Sequence, residues 1–137
     1  MIPISGTVAI FGWFDPVREE QIEFMEKAAR LGKRLLIITY RDSICAQYSD
    51  KKICEVPLRS RVLTLEGLLL RLNLSGKVIV AVDEDGSIAK TLWYYKPDVL
   101  ARGTNRITPG ERNICKEIKC RVVHLATDKV PEICIPV

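Results

Sequence analysis

The sequence predicts an α/β domain built on a doubly wound parallel sheet, and three observations predict it. Five short apolar runs, Thr7 to Gly12, Arg34 to Tyr40, Lys77 to Asp83, Asp98 to Arg102 and Arg121 to Leu125, alternate with helical patterns. The first run is apolar without alternation, as a strand covered on both faces must be. It ends at Gly12 and gives way directly to an amphipathic pattern. Right-handed crossovers between such units then favour helices on both faces of the sheet.

Each element follows in order. From Glu19 the charged residues Glu19, Glu20, Glu23, Glu26, Lys27 and Arg30 recur at three- and four-residue steps and leave Ile22, Met25 and Ala29 opposite, which predicts a helix packed on the sheet. Arg41 to Glu55 is polar and lacks sustained periodicity, so it reads as an extended loop near the same sheet edge. Pro57 is placed to open the next helix, where Val62, Leu65, Leu69 and Leu72 form a stripe widened by Leu68 and Leu70. That breadth exceeds what one sheet face requires and points to a homodimer. Asp83 to Ser87 is a polar turn that can cap a helix from Ser87 to Tyr95. Thr108-Pro109-Gly110-Glu111 places a cap, a first-turn proline and an acidic residue in sequence. Pro131 to Val137 reads as a tail packing on the domain or a partner.

At 137 residues and 47% hydrophobic content the chain suits one domain, residues 1–137, with a core that needs no metal or disulfide staple. The net charge of +4, from 21 basic and 17 acidic residues, suits an anionic small molecule without demanding nucleic acid. Arg102, Arg106, Arg112, Lys116, Lys119 and Arg121 interleave with Glu111 and Glu117 outside any recognition motif, so a nucleic-acid partner is not expected. Five cysteines at irregular spacing, without a C-x-x-C pair and with His124 as the one histidine, predict no metal site. His124 itself sits in an apolar run and reads as a structural strand residue. No apolar stretch approaches the roughly 20 residues that span a bilayer, and no leader pattern opens the chain. A cytoplasmic protein with reduced thiols and no membrane partner is the expectation.

The turn Gly12-Trp13-Phe14-Asp15-Pro16-Val17-Arg18-Glu19-Glu20-Gln21 resembles the G-x-F-D-x-x-H-x-G-H signature of the nucleotidyltransferase superfamily, especially its cytidylyltransferase-like branch. Gly12, Phe14 and Asp15 match, whereas Arg18, Glu20 and Gln21 stand where that family has histidine, glycine and histidine. Pro57-Leu58-Arg59-Ser60-Arg61 is similar to its P-x-x-x-R helix start. Lys96-Pro97-Asp98-Val99-Leu100-Ala101-Arg102-Gly103 is similar to the K-P-D-x-x-x-K-G segment of sugar-phosphate and glycerol-phosphate nucleotidyltransferases. The resemblance implies a Rossmann-like sheet of about five strands in the order 3-2-1-4-5, with the ligand crevice beyond the first and fourth strands.

It also implies a chemistry. A phosphate oxygen of the second substrate attacks the α-phosphorus of a nucleoside triphosphate and displaces pyrophosphate, usually with magnesium, and the protein supplies position and charge. Carried over residue by residue, Arg18 and Gln21 would take the catalytic places. Gly12, Phe14, Asp15, Lys51, Lys52, Arg61, Arg102 and Gly103 would contact the nucleotide. Arg18 can grip phosphate bidentately, and Gln21 keeps an amide donor. Against this, losing one preorganised donor costs roughly 10²–10³ in rate. A Glu20 carboxylate about 6 Å from a phosphate charge would repel it by roughly 3 kcal/mol at an effective dielectric near 20. Read as local structure alone, Arg18 to Gln21 is an ordinary capped first turn, Lys51 and Lys52 are a solvated pair, and Arg61 pairs with Glu55 or Glu66. In the same terms Gly103 simply serves a turn.

The segment Ala126 to Ile133 stands where the family has an R-T-x-G-x-S-T-T-like phosphate cradle, but it carries no serine and a proline at Pro131. The expectation is therefore a cytidylyltransferase-like protein that binds a nucleotide or phosphorylated small molecule. Transfer to a phosphorylated sugar or alcohol would be weak or lost, and magnesium needed only if it persists. The alternative is a non-catalytic dimerisation or regulatory protein on the same fold.

Overall fold

The computed structural model describes residues 5–103 and 106–125. The segment Ala126 to Ile133, the tail from Pro131, and Thr104 and Asn105 of the turn after Arg102 lie outside the described residues. Five parallel strands, β1 (Ser5–Phe11), β2 (Gly32–Thr39), β3 (Gly76–Val80), β4 (Val99–Arg102) and β5 (Arg121–His124), form one sheet in the order β3-β2-β1-β4-β5. The helices are α1 (Glu19–Ala29), α2 (Asp42–Tyr48), α3 (Leu58–Arg71), α4 (Ala89–Tyr95) and α5 (Pro109–Glu117). This is the doubly wound, Rossmann-like arrangement that the sequence and its resemblance predict.

The period of two along the strands sorts the core into two layers. Val8 and Ile10 of β1, Leu35 and Ile37 of β2, and Val99 and Ala101 of β4 face Phe24, Met25 and Ala28 of α1 and Leu65, Leu68 and Leu69 of α3. Their neighbours Ala9, Phe11, Leu36, Ile38 and Leu100 face the other way, against Ile44 of α2, Leu92 of α4 and Cys115 of α5. Both faces of the central strands β1 and β4 and of the latter part of β2 are dry, which is why they read as unbroken apolar runs. No helix among the described residues is long and apolar enough to cross a membrane.

The helix starts show why these segments fold locally. Thr108 Oγ1 accepts the Glu111 amide at 3.1 Å and Glu111 Oε1 accepts the Thr108 amide at 2.8 Å, a reciprocal cap with Pro109 in the first turn as expected. The polar turn before α4 also caps it, through the buried Asp83 carboxylate, which accepts the Lys90 and Thr91 amides at 2.7 and 3.0 Å.

One element departs from expectation. The stretch after Arg41 is not a continuous loop but holds α2, a helix of 7 residues. Only the adjacent Ile44 and Cys45 are buried, so it leaves no helical period in the sequence. Its stability is tertiary: Asp42 at its start accepts the Leu58 amide and an Arg61 N–H, both at 2.8 Å. On α3, Leu65, Leu68 and Leu69 fill the domain's own core, while Leu63 and Leu70 stay 60% and 84% exposed. Part of the broad leucine face is thus intramolecular.

Candidate functional site at the β1–α1 corner

The sheet order reverses at β1: α1 carries the chain to β2 on one side, and β4 returns on the other. In sheets of this topology the ligand crevice lies beyond the strand ends at such a switch point, the end of the sheet where Gly12 to Asp15 follow β1 and Gly103 follows β4. The Gly12 amide donates to Ile38 O at 3.1 Å, which fixes the chain as it leaves the sheet. Phe14 follows with a left-handed backbone (φ 52°) and a buried ring. A β-carbon on Gly12 would meet that ring at an ordinary 3.4 Å, so packing does not demand glycine there. Gly103 differs, because a β-carbon would stand 3.3 Å from the Phe24 ring, closer than packing comfortably allows.

Asp15 is the electrostatic centre of the corner. Its side chain is 1% exposed. Oδ2 accepts the Glu55 amide at 2.8 Å, Oδ1 accepts the Val56 amide, and the Cys45 thiol points at Oδ2 from 3.7 Å. Lys51 Nζ donates to Asp15 O at 2.6 Å and lies 3.3 Å from Oδ2. Burial alone would raise the carboxyl's pKa, but the two amides and the Lys51 ammonium outweigh it and hold Asp15 below the usual aspartate range. Lys51 also sits 3.4 Å from Glu55. Desolvation works against its charge, yet Asp15 and Glu55 together keep the ammonium above the ordinary lysine range.

Arg61 lies wholly inside, at 0% exposure. Its Nε donates to Val56 O at 2.8 Å, one terminal nitrogen to Trp13 O and Thr39 Oγ1 at 3.0 and 2.9 Å, and the other to Asp42 at 2.8 Å. The guanidinium thus ties together the turn after β1, the end of β2, the start of α2 and the lead into α3. Its partner is Asp42, not Glu55 or Glu66, and hydrogen bonding to Arg61 is the main reason Asp42 is held below the usual range.

The remaining residues lie nearer the solvent. Arg18 caps α1 through its backbone: Gln21 Oε1 accepts the Arg18 amide at 2.7 Å, and Arg18 O accepts the amides of Gln21 and Ile22 at 3.0 and 3.1 Å. The Arg18 side chain is exposed and makes no ion pair among the described residues. Glu19 and Glu20 occupy the first turn of α1, where they favour the helix dipole by roughly 0.3–1 kcal/mol each. Lys52 is exposed and bonds Gln47 O at 3.3 Å. Arg102 is half-buried at the end of β4, across the crevice from the corner. His124 is exposed at the end of β5.

No protein-family model matches the sequence, and no curated protein matches it. Solved structures match the fold. The crystal structure of the lipopolysaccharide core biosynthesis protein from Thermoplasma volcanium GSS1 aligns with a TM-score of 0.67 at 21% identity, over 92% of this chain and 98% of that one. Pantoate-beta-alanine ligase (pantothenate synthetase) from Thermus thermophilus aligns with a TM-score of 0.59 at 11% identity, over 94% of this chain and 58% of that one. The Francisella tularensis pantoate-beta-alanine ligase, complexed with beta-gamma ATP and beta-alanine, aligns with a TM-score of 0.59 at 11% identity, over 96% of this chain and 62% of that one. The chain therefore spans about three-fifths of each ligase. At these identities the likeness establishes the fold, and the chemistry rests on this chain's own residues.

Four residues of the corner were not singled out from the sequence: Thr39, Asp42, Cys45 and Cys54. Cys45 Sγ, Cys54 Sγ and an Asp15 carboxylate oxygen lie within 4.8 Å of one another, and Cys54 also reaches Asp42 Oδ1 and Val56 O, each at 3.4 Å. The only available signal was position, since these residues lie at or beyond the end of β2, where chains of this topology converge on the crevice.

Proposed function

We propose that this chain is a cytidylyltransferase-like protein that binds a nucleotide or phosphorylated small molecule in the crevice beyond β1 and β4, with nucleotidyl transfer weak or lost. One observation carries the proposal: among the described residues Lys51 and Arg61 are already committed to protein, whereas Arg18 makes no ion pair. Arg61 is buried and fully engaged, and Lys51 is shared between Asp15 and Glu55. Arg18 remains exposed at the mouth of α1, where first-turn amides favour an anion. One guanidinium suffices to hold a phosphate, but a migrating phosphoryl group needs several preorganised donors.

Gln21 has given its carboxamide oxygen to the cap, which leaves its NH₂ group as the second donor of the catalytic pair. Gly12, Phe14, Gly103 and Arg102 would line the approach, with Lys52 at its rim. Asp15 does not suit a magnesium ligand, because its oxygens already hold two amides and face an ammonium. Glu20 further disfavours a triphosphate.

A thermal-shift panel of CTP, ATP, UTP and GTP, with a pyrophosphate-release assay on phosphorylated sugars and alcohols, tests this. Ligand near its Kd stabilises by about 0.4 kcal/mol, a shift of roughly 1–2 °C that Arg18→Ala should abolish. No shift with any nucleotide or with sugar or glycerol phosphates would sink the binding reading. Rapid pyrophosphate release would overturn the loss of transfer.

The exposed Leu63 and Leu70, one heptad apart on α3, favour a second reading: a non-catalytic dimerisation protein on the same fold. Sedimentation showing a tight dimer indifferent to nucleotides would favour it.

A further inference from the structure

The thiols beneath the corner have no part in the proposed binding, yet they are not scattered. Cys45 stands on α2 and is fully buried, whereas Cys54 lies in the irregular segment between α2 and α3 and is half-buried. Their sulfurs lie within 4.8 Å of each other and of Asp15. A disulfide requires about 2.05 Å, and Cys54, outside any helix or strand, would have to leave its contacts with Asp42 Oδ1 and Val56 O to close that gap. We propose that Cys45 and Cys54 form a reversible dithiol–disulfide site, oxidised by a hydroperoxide, that ties the α2–α3 connection to α2 and fixes the floor of the corner.

A metal is the rival occupant of the same three side chains, and the geometry disfavours it. Asp15 Oδ1 accepts the Val56 amide, Oδ2 accepts the Glu55 amide, and the Lys51 ammonium stands 3.3 Å from Oδ2. A cation would have to evict that ammonium and compete with both amides. The disulfide needs neither change: it costs Asp15 only the weak thiol contact at 3.7 Å.

The chemistry balances with one peroxide. The Cys54 sulfur, the accessible one, attacks a peroxide oxygen. The O–O bond breaks, a sulfenic acid forms, and the leaving oxygen departs with the thiol proton, as water when the oxidant is hydrogen peroxide. The Cys45 sulfur then attacks the Cys54 sulfur, forming the S–S bond while the S–O bond breaks. The departing hydroxide takes the Cys45 proton and leaves as a second water. Two thiols are oxidised, the peroxide is reduced, and a dithiol reductant reverses the result. Burial and hydrogen bonding to Cys45 push the Cys54 thiol up to about 12, so the first step is slow at neutral pH and quickens in alkali.

The consequence reaches the ligand corner through the chain. Lys51 lies between the two cysteines, and Glu55 and Val56, whose amides hold Asp15, follow directly. Closing a loop of this length restrains the unfolded chain and predicts a Tm higher by about 5–10 °C in the oxidised protein.

The test treats the reduced full-length chain with hydrogen peroxide, blocks remaining thiols with an alkylating agent, and maps linked peptides by mass spectrometry. A Cys45–Cys54 linked peptide that disappears on reduction, with the Tm rise, is expected. Cys115 and Cys120, both buried near the end of α5, serve as an internal comparison. Free, alkylated Cys45 and Cys54 after exhaustive peroxide would overturn the proposal, as would Cys54 stopping at the sulfinic acid or a link confined to Cys115 and Cys120. Zinc bound in one equivalent that shields both thiols from alkylation would also overturn it. Because mapping is done on the unmodified chain, the result does not depend on a variant folding.

Discussion

Arg61→Ala should be among the most destabilising single substitutions in this chain, and the size of the loss follows from what the guanidinium holds. The side chain is 0% exposed and donates to Val56 O, Trp13 O, Thr39 Oγ1 and Asp42 Oδ1. Removing it leaves Trp13 O to the Thr39 hydroxyl at 3.1 Å and Val56 O to the weak Cys54 thiol at 3.4 Å, and opens a cavity of side-chain size. The Asp42 side chain is 55% exposed, so water recovers its share, and the Leu58 amide still binds it. Truncating a large buried side chain and removing its hydrogen bonds together cost about 3–5 kcal/mol, a large part of the 5–15 kcal/mol that a domain commands. In a chain of this size that lowers Tm by roughly 10–20 °C. Arg61→Lys should lose about 2–3 kcal/mol, because one ammonium nitrogen cannot span acceptors that the planar fork reaches from three nitrogens. Urea denaturation of both variants, with nucleotide titration of whichever stays folded, measures this. An Arg61→Ala Tm within 3 °C of the unmodified protein would refute the bracing role. An Arg61→Lys protein of normal stability that no longer responds to nucleotide would show the arginine to be a ligand contact.

Acid should loosen the corner through Asp15. The folded state holds this carboxyl below 3.8 while the unfolded chain titrates near its ordinary value, so the stabilisation is complete above about pH 4 and drains away as pH falls through the folded value. Denaturation midpoints from pH 7 to 2 should therefore drop at the acid end, and Asp15→Asn should flatten that limb while losing about 3 kcal/mol at pH 7. An unchanged acid limb in the variant would show that the carboxylate carries no such linkage. On α3, Leu63→Lys with Leu70→Lys should alter monomer stability by less than about 0.5 kcal/mol, since both side chains are exposed. Sedimentation of this variant as monomer beside a dimeric parent would locate the contact there, whereas an unaltered dimer would move it elsewhere.

The sheet was legible because its signal is local. Val8 and Ile10 face one layer and Ala9 and Phe11 the other, so coverage on both sides writes an uninterrupted apolar run, which its shortness and the closing Gly12 mark as a strand. Strand order came from the resemblance of Gly12 to Gln21 to a known signature, and the observed order agrees. The cap of α5 was legible because Thr108 sits beside the helix it caps, and that of α4 because Asp83 lies in the polar turn that leads into it. What escaped was set by closure of the tertiary structure. The α2 helix has two adjacent buried residues and no period, so only its contacts with Arg61 and Leu58 define it. The Arg61 partner lies 19 residues upstream, and nothing in the sequence distinguishes Asp42 from Glu55 or Glu66 as its acceptor.

Those long-range contacts also decide how the corner treats an anion. Asp15, Asp42 and Glu55 face Lys51 and Arg61, and both cations are engaged by protein groups, where they hold the turn after β1 against α2 and α3. Among the described residues Arg18 makes no ion pair, and Glu20 follows it on the first turn of α1, so the mouth sets a guanidinium beside a carboxylate. A ligand bearing a single phosphoryl group can meet Arg18 and the helix amides without approaching the Glu20 carboxylate. A triphosphate extends its charge along the turn, and at about 6 Å the Glu20 carboxylate costs roughly 3 kcal/mol. The same arithmetic predicts that a nucleoside monophosphate or a sugar phosphate binds at least as tightly as the corresponding triphosphate, the reverse of what a nucleotidyl donor site requires. Glu20→Gly should restore preference for the triphosphate if that repulsion governs the site, and should leave the order unchanged if Arg18 alone sets it.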